Sequence, residues 1–182
     1  MRPVTLIVIH CSASPNGDAL FRGSPGTPGF LNPAQVIDGW HVQRGFARSP
    51  EARARQNPDL AAIGYHFVVT TTGAIFAGRH LDEPGAHARG HNRDSVGVCL
   101  VGTDRYARRQ WTLLADLIGA LRKRYPAARV VGHRDLSPDI DGDGVVEPSE
   151  WLKTCPGFDV SSWLAGGMAP LAEHLIEEAT NA

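Results

Sequence analysis

Residues 5–9 form an unbroken β-branched and apolar run that stops at His10. A strand apolar on both faces has to be covered on both faces, so the chain must build a sheet with helices packed on each side. The remaining segments can meet that demand. Asn32 reads as an N-cap with Pro33 at the first helical position, and Val36, Ile37 and Trp40 supply an apolar face that ends by Gly45. A longer helix is predicted over 110–125, where Trp111, Leu114, Leu117, Ile118 and Leu121 recur at helical spacing before Pro126. Strands are expected at 65–70 and 74–77, joined by a turn through Thr71, Thr72 and Gly73. Two more are expected at 96–101 and at 129–131, the latter delivering His133. The Ser-, Pro- and Gly-rich stretch 11–31 reads as a long loop, 47–58 as a polar connection, and a helical segment broken by Gly166, Gly167 and Pro170 closes the chain. The order implies an α/β fold: one domain spanning 1–182, with a central mixed β-sheet flanked by helices.

Length and charge narrow the partners. At 182 residues, with 42% hydrophobic and 20% charged residues, the chain has the makings of one soluble globular domain. A formal net charge of −1, with Lys and Arg spread along the chain, offers no footprint for nucleic acid. No stretch is long and apolar enough to insert in a membrane, and the N-terminal run lacks the charged lead and cleavage site of a signal peptide. Synthesis in the cytoplasm is expected, so that a substrate outside the inner membrane would be reached only after release by something else. Cys11, Cys99 and Cys155 are odd in number and widely spaced, which argues against a disulfide framework. Cys11 and Cys99 read as structural. A monomer is expected.

Two constellations carry chemistry. His10 ends a buried strand, His133 follows another, and Cys155 lies in a Pro-Gly stretch. Two imidazoles and a thiolate can fill three corners around zinc and leave the fourth to water, a catalytic rather than structural pattern. Each residue alone reads equally as a hydrogen-bonded or buried side chain. The second constellation is local: 139–150 reads DIDGDGVVEPSE. Asp139, Asp141, Asp143, Glu147 and Glu150 fall at the oxygen-ligand positions of an EF-hand loop, Val145 at the position that offers its carbonyl, and Gly144 at the sharp turn. Calcium is the expected ion, held as a single structural clip because no second EF-hand is present. His87 and Asn92 lie on the loop before a strand, where substrate-contacting groups are often found, and both are expected to touch substrate. His66 is expected to face away from Tyr65 into the core.

Six segments, IVIHCSAS at His10, GYHF at Tyr65, GAHARGHN from Gly85, SVGVCLVG from Ser95, GHRD at His133 and KTCPGFD from Lys153, occur in that order. Together they resemble the type 2 N-acetylmuramoyl-L-alanine amidase family, which includes phage lysozyme-type endolysins and peptidoglycan recognition proteins. The resemblance implies a central sheet flanked by helices, zinc on His10, His133 and Cys155, and catalytic roles for Tyr65 and Lys153. It implies hydrolysis of the amide between N-acetylmuramic acid and L-alanine in bacterial peptidoglycan, in a phage endolysin that lyses its host. Related recognition proteins without activity lack the zinc cysteine, which is present here as Cys155. Binding to a phage RNA polymerase, known for some phage amidases, finds no argument either way in these residues. A glycan-cleaving lysozyme would need paired acid and nucleophile carboxylates, and the clustered acids here belong to the 139–150 loop.

Overall fold

The computed structural model describes residues 2–176. Five strands form one mixed sheet in the order β3-β2-β4-β1-β5. They are β1 (Leu6–Cys11), β2 (Phe67–Val69), β3 (Ile75–Ala77), β4 (Ser95–Leu100) and β5 (Arg129–Gly132). β1 pairs in parallel with both β4 and β5, β2 runs parallel to β4, and only β3 is antiparallel, as the hairpin partner of β2. The α/β architecture expected from the segment order is the observed one.

Both faces of the sheet are covered, as the apolar run of β1 requires. On one face Ile7, Ile9, Val98 and Leu100 pack under α3 (Arg108–Arg124) through Trp111, Leu114, Ile118 and Leu121. Phe158 joins them with Val160 and Trp163 of α4 (Val160–Ala165). On the other face Val68, Cys99 and Val101 meet Val36 and Ile37 of α1 (Pro33–Gln43) together with Leu20, Leu60 and Ile63. Leu20 is thus the anchor that draws the long 11–31 loop onto the core.

α1 begins as the sequence suggests. The Asn32 side chain accepts from the Gln35 backbone N–H, and the Gln35 side chain accepts from the Asn32 N–H, closing a capping box ahead of Pro33. One element differs from expectation. The polar 47–58 stretch contains a short helix, α2 (Pro50–Arg55), capped by Ser49 with Pro50 at its first turn and burying none of its residues. Without an apolar stripe, periodicity had nothing to detect. The first hairpin strand is also shorter than 65–70. Tyr65 and His66 nevertheless stay bonded to its neighbours, His66 N–H to the Gly97 carbonyl at 2.9 Å and the Tyr65 carbonyl to Arg79 N–H at 3.0 Å, while Gly64 and Gly78 pack so closely that a Cβ would stand 2.1 and 2.3 Å from the Ala86 and Tyr65 carbonyl oxygens.

Candidate active site

The site lies on the α1 face of the sheet, toward the C-terminal end of β1. Because β1 and β5 are adjacent and parallel, their ends bring His10 and His133 side by side, with ring centroids 4.5 Å apart. Cys155 arrives from a distant turn. Its sulfur accepts the Cys11 N–H at 3.0 Å, its carbonyl accepts from Arg134 N–H at 2.8 Å, and the buried Tyr106 hydroxyl holds the next carbonyl, that of Pro156, at 2.6 Å. One ligand atom each from His10, His133 and Cys155 then lie within 4.8 Å of one another.

The donor set suits zinc. His10 is 1% exposed, and its Nδ1 is buried without a hydrogen-bond partner, the condition expected of an atom whose partner is a cation. Burial, with His87, His133 and His41 adding, pushes His10 well below the ordinary imidazole range. Burial, and then the charge of Lys153, lowers His133. Both rings are therefore neutral near pH 7, the form that can ligate. Cys155 is pushed up, first by its hydrogen bond with the Cys11 thiol and then by burial, so it carries its proton until a cation displaces it.

Tyr65 is delivered by a segment pinned to α1. Buried Asp38 accepts the N–H groups of Ala61, Ala62 and Ile63 at 3.1, 2.7 and 2.7 Å, and His41 Nδ1 accepts that of Gly64 at 2.9 Å. The Tyr65 ring consequently stands 5.2 Å from His10, 5.3 Å from His41 and 6.2 Å from His87 between centroids. Burial, and then the neighbouring thiols, raise its phenol well above the usual range, so the hydroxyl keeps its proton and can both donate and accept. A cleft of about 530 Å³ opens here, lined by Tyr65, Lys153, His133, His41 and His87 together with Arg44 and Arg89. His41 escaped the sequence reading, although its spacing of four from Ile37 already put it on the inward stripe of α1. Arg44 and Arg89, from the end of α1 and the loop before β4, carried no signal at all.

His87 and Asn92 both line the cleft, and the Asn92 side-chain oxygen and the His87 Nδ1 also make contacts within the protein. The Asn92 side-chain oxygen accepts the His87 and Ala88 N–H groups at 2.7 and 2.9 Å, and His87 Nδ1 lies 2.9 Å from His10 Nε2. His66 is fully buried, with its Nδ1 accepting the Gly97 N–H.

The second constellation forms an exposed loop. Asp139, Asp141 and Asp143 bring carboxylate oxygens within 4.8 Å of one another. Asp139 accepts from Gly142 and Gly144 N–H, Gly144 takes a φ of +91°, and Glu150 folds back to accept from Ile140 and Glu147 N–H. A short 3₁₀ turn, His133–Leu136, stands where an entering helix would be. Arg134, on that turn, stacks over Trp151 at 4.1 Å and bonds Asp159 at 2.8 Å.

A family model described as N-acetylmuramoyl-L-alanine amidase matches residues 1–158. An uncharacterised protein of Haemophilus influenzae is 46% identical over 114 residues, covering 58% of this chain and 98% of its own length. The endolysin of Enterobacteria phage K11 is 34% identical over 168 residues, covering 87% of this chain and 84% of its own. Among solved structures, the N-acetylmuramoyl-L-alanine amidase LysC of Clostridium intestinale superposes with a TM-score of 0.60 at 23% identity, over 93% of this chain and 88% of that one.

Proposed function

The chain belongs to the N-acetylmuramoyl-L-alanine amidase family, and on that premise we propose that it is a zinc-dependent amidase. Its substrate is the amide between the lactyl group of N-acetylmuramic acid and the first L-alanine of the peptidoglycan stem, and its setting is that of a phage endolysin. The observation that carries this reading is the meeting of His10, whose buried Nδ1 has no partner, with His133 and Cys155, beside a cleft lined by His133, Tyr65 and Lys153. Those three side chains would hold the metal, which when bound supplies Lewis-acid chemistry and an acidified water at neutral pH. The protein's own groups do the rest. The exposed Lys153 ammonium faces the developing negative charge on the lactyl oxygen and stabilises it. The Tyr65 hydroxyl orients the attacking water or passes a proton to the leaving amine. His41, lowered to about 4 by burial, is a neutral wall that adds no competing charge.

The endolysin setting is supported by the likeness to the phage K11 endolysin over most of both chains. No helix among the described residues is long and apolar enough to cross a membrane. The 139–150 loop supports a second, structural role for calcium, on the EF-hand spacing of its acids and the positive φ of Gly144. Peptidoglycan digested with the protein, with and without chelator, tests the main reading by mass spectrometry. Free stem peptides beginning at L-alanine, abolished by chelation and restored by zinc, are expected. Intact stems, or new reducing sugars in their place, would overturn it.

A further inference from the structure

We infer that His87 is a positioning residue for His10: it accepts the His10 Nε2–H and so fixes the tautomer that leaves Nδ1 free for the ion. This inference rests on the zinc reading above.

A neutral imidazole has one N–H and one lone pair, so the partner of one nitrogen decides what the other can do. His10 Nε2 lies 2.9 Å from His87 Nδ1, with the two rings 80° apart, an edge-on meeting that suits N–H to lone pair. His10 Nδ1 has no hydrogen-bond partner. Were the His10 proton on Nδ1, it would be a buried donor with no acceptor, and the 2.9 Å contact would need His87 to donate from Nδ1 to His10 Nε2. With the proton on Nε2, both ring nitrogens are accounted for, and Nδ1 is the nitrogen left to join His133 and Cys155, whose ligand atoms gather with one of His10 within 4.8 Å. His87 Nδ1 must then accept, which puts its own proton on Nε2, 3.4 Å from Ser95 Oγ. The relay runs from His10 through His87 to Ser95.

The fold makes room for the His87 ring in this place only because two neighbouring positions are glycine. On β4, Gly97 sits on the same face as Cys99, and a Cβ there would stand 2.5 Å from His87 Cδ2. A Cβ on Gly85 would stand 2.4 Å from the same atom. The ring lies against two glycines, and the Asn92 side-chain oxygen holds its backbone N–H at 2.7 Å. Both ring nitrogens are thereby committed, so neither remains to recognise a ligand in the cleft.

Two measurements test this. The first uses the unaltered zinc-loaded protein: nitrogen-15 NMR of labelled histidines reports the tautomer of each ring. His10 and His87 are both expected as Nε2–H; a proton on Nδ1 of either overturns the inference. The second compares zinc affinity by chelator competition, and the absorption spectrum of the cobalt(II)-substituted protein, in His87→Gln and His87→Leu. Leucine cannot accept and is expected to weaken zinc about 10- to 100-fold and to alter the cobalt spectrum. Glutamine, whose amide oxygen can accept, should retain affinity within a few-fold. If His87→Leu binds zinc like wild type and only KM rises, His87 is a substrate contact and the inference is wrong. A wild-type protein that binds no zinc would overturn this inference and the proposed function together, whereas zinc-loaded wild type with indifferent variants overturns the inference alone.

Discussion

At the scale of residues, the proposed ligands and the proposed catalytic groups separate by what they touch. Cys155 and His133 meet His10 directly, and losing one of three protein donors leaves the ion weakly held. Cys155→Ser and His133→Ala are expected to purify without stoichiometric zinc and to hydrolyse no peptidoglycan. Zinc content by elemental analysis with near wild-type turnover in either would defeat the ligand assignment. Tyr65 and Lys153 line the cleft without belonging to the donor set. Tyr65→Phe and Lys153→Ala should therefore keep zinc but lose turnover by roughly a hundredfold or more, the scale of removing one group that acts in the transition state. Metal loss in those variants would reassign them to holding the site. The three histidine–aromatic contacts around Tyr65 show why position mattered more than residue type. Apart from the family resemblance, nothing in GYHF says which of its three rings comes to stand beside His10, whereas the Asp38 and His41 bonds to 61–64 decide it.

At the scale of elements, the 139–150 loop is the segment whose role a single ion would change most. Without a cation, its carboxylates repel one another at close range, held only by bonds to their own backbone. Calcium is expected to raise the melting temperature by roughly 5–10 °C at a hundredfold excess over Kd, the shift from binding the native state alone. Asp141→Ala should abolish that shift, and it is the cleaner variant, because Glu150 also caps the loop backbone through Ile140 and Glu147. A calcium-independent melting curve in wild type would reduce the loop to an acidic turn. Activity should respond less than stability. Arg134 already clamps the far side of the loop through Trp151, Asp159 and the Cys155 carbonyl, so Cys155 stays near His133 whichever state the loop adopts. Among helices, α1 was legible because Asn32, Pro33 and an apolar stripe agree. α2 carried the same cap chemistry in Ser49 and Pro50, but with no buried face it gave periodicity nothing to read.

At the scale of the whole molecule, the packing around the site buries histidines that would be half-charged in water near their ordinary pKa. Burial brings His41 down to about 4, and burial together with nearby Arg2 and Arg79 outweighs a backbone bond to bring His66 to about 3. The unfolded chain therefore binds more protons than the native one once pH drops below about 6.5, and stability is lost as pH falls from there toward 4. Each such histidine contributes a slope approaching about 1.4 kcal/mol per pH unit inside that window. Melting temperatures from pH 7 to 4.5 should fall steadily in wild type, and less steeply in His66→Gln, whose starting stability is lower. Equal slopes would show that His66 is not among the groups responsible. The sequence by itself determined whatever a short window can encode: strand and helix character, the Asn32 cap, the spacing of the acidic loop and the six ordered segments that mark the family. What only the tertiary structure decided depends on long-range approach, such as Cys155 reaching Cys11 across 144 positions and His87 lying against Gly85 and Gly97 beside His10. Which nitrogen of His10 is free follows from that second contact, because a ring proton goes to whichever acceptor folding brings beside it, and no local pattern specifies that neighbour.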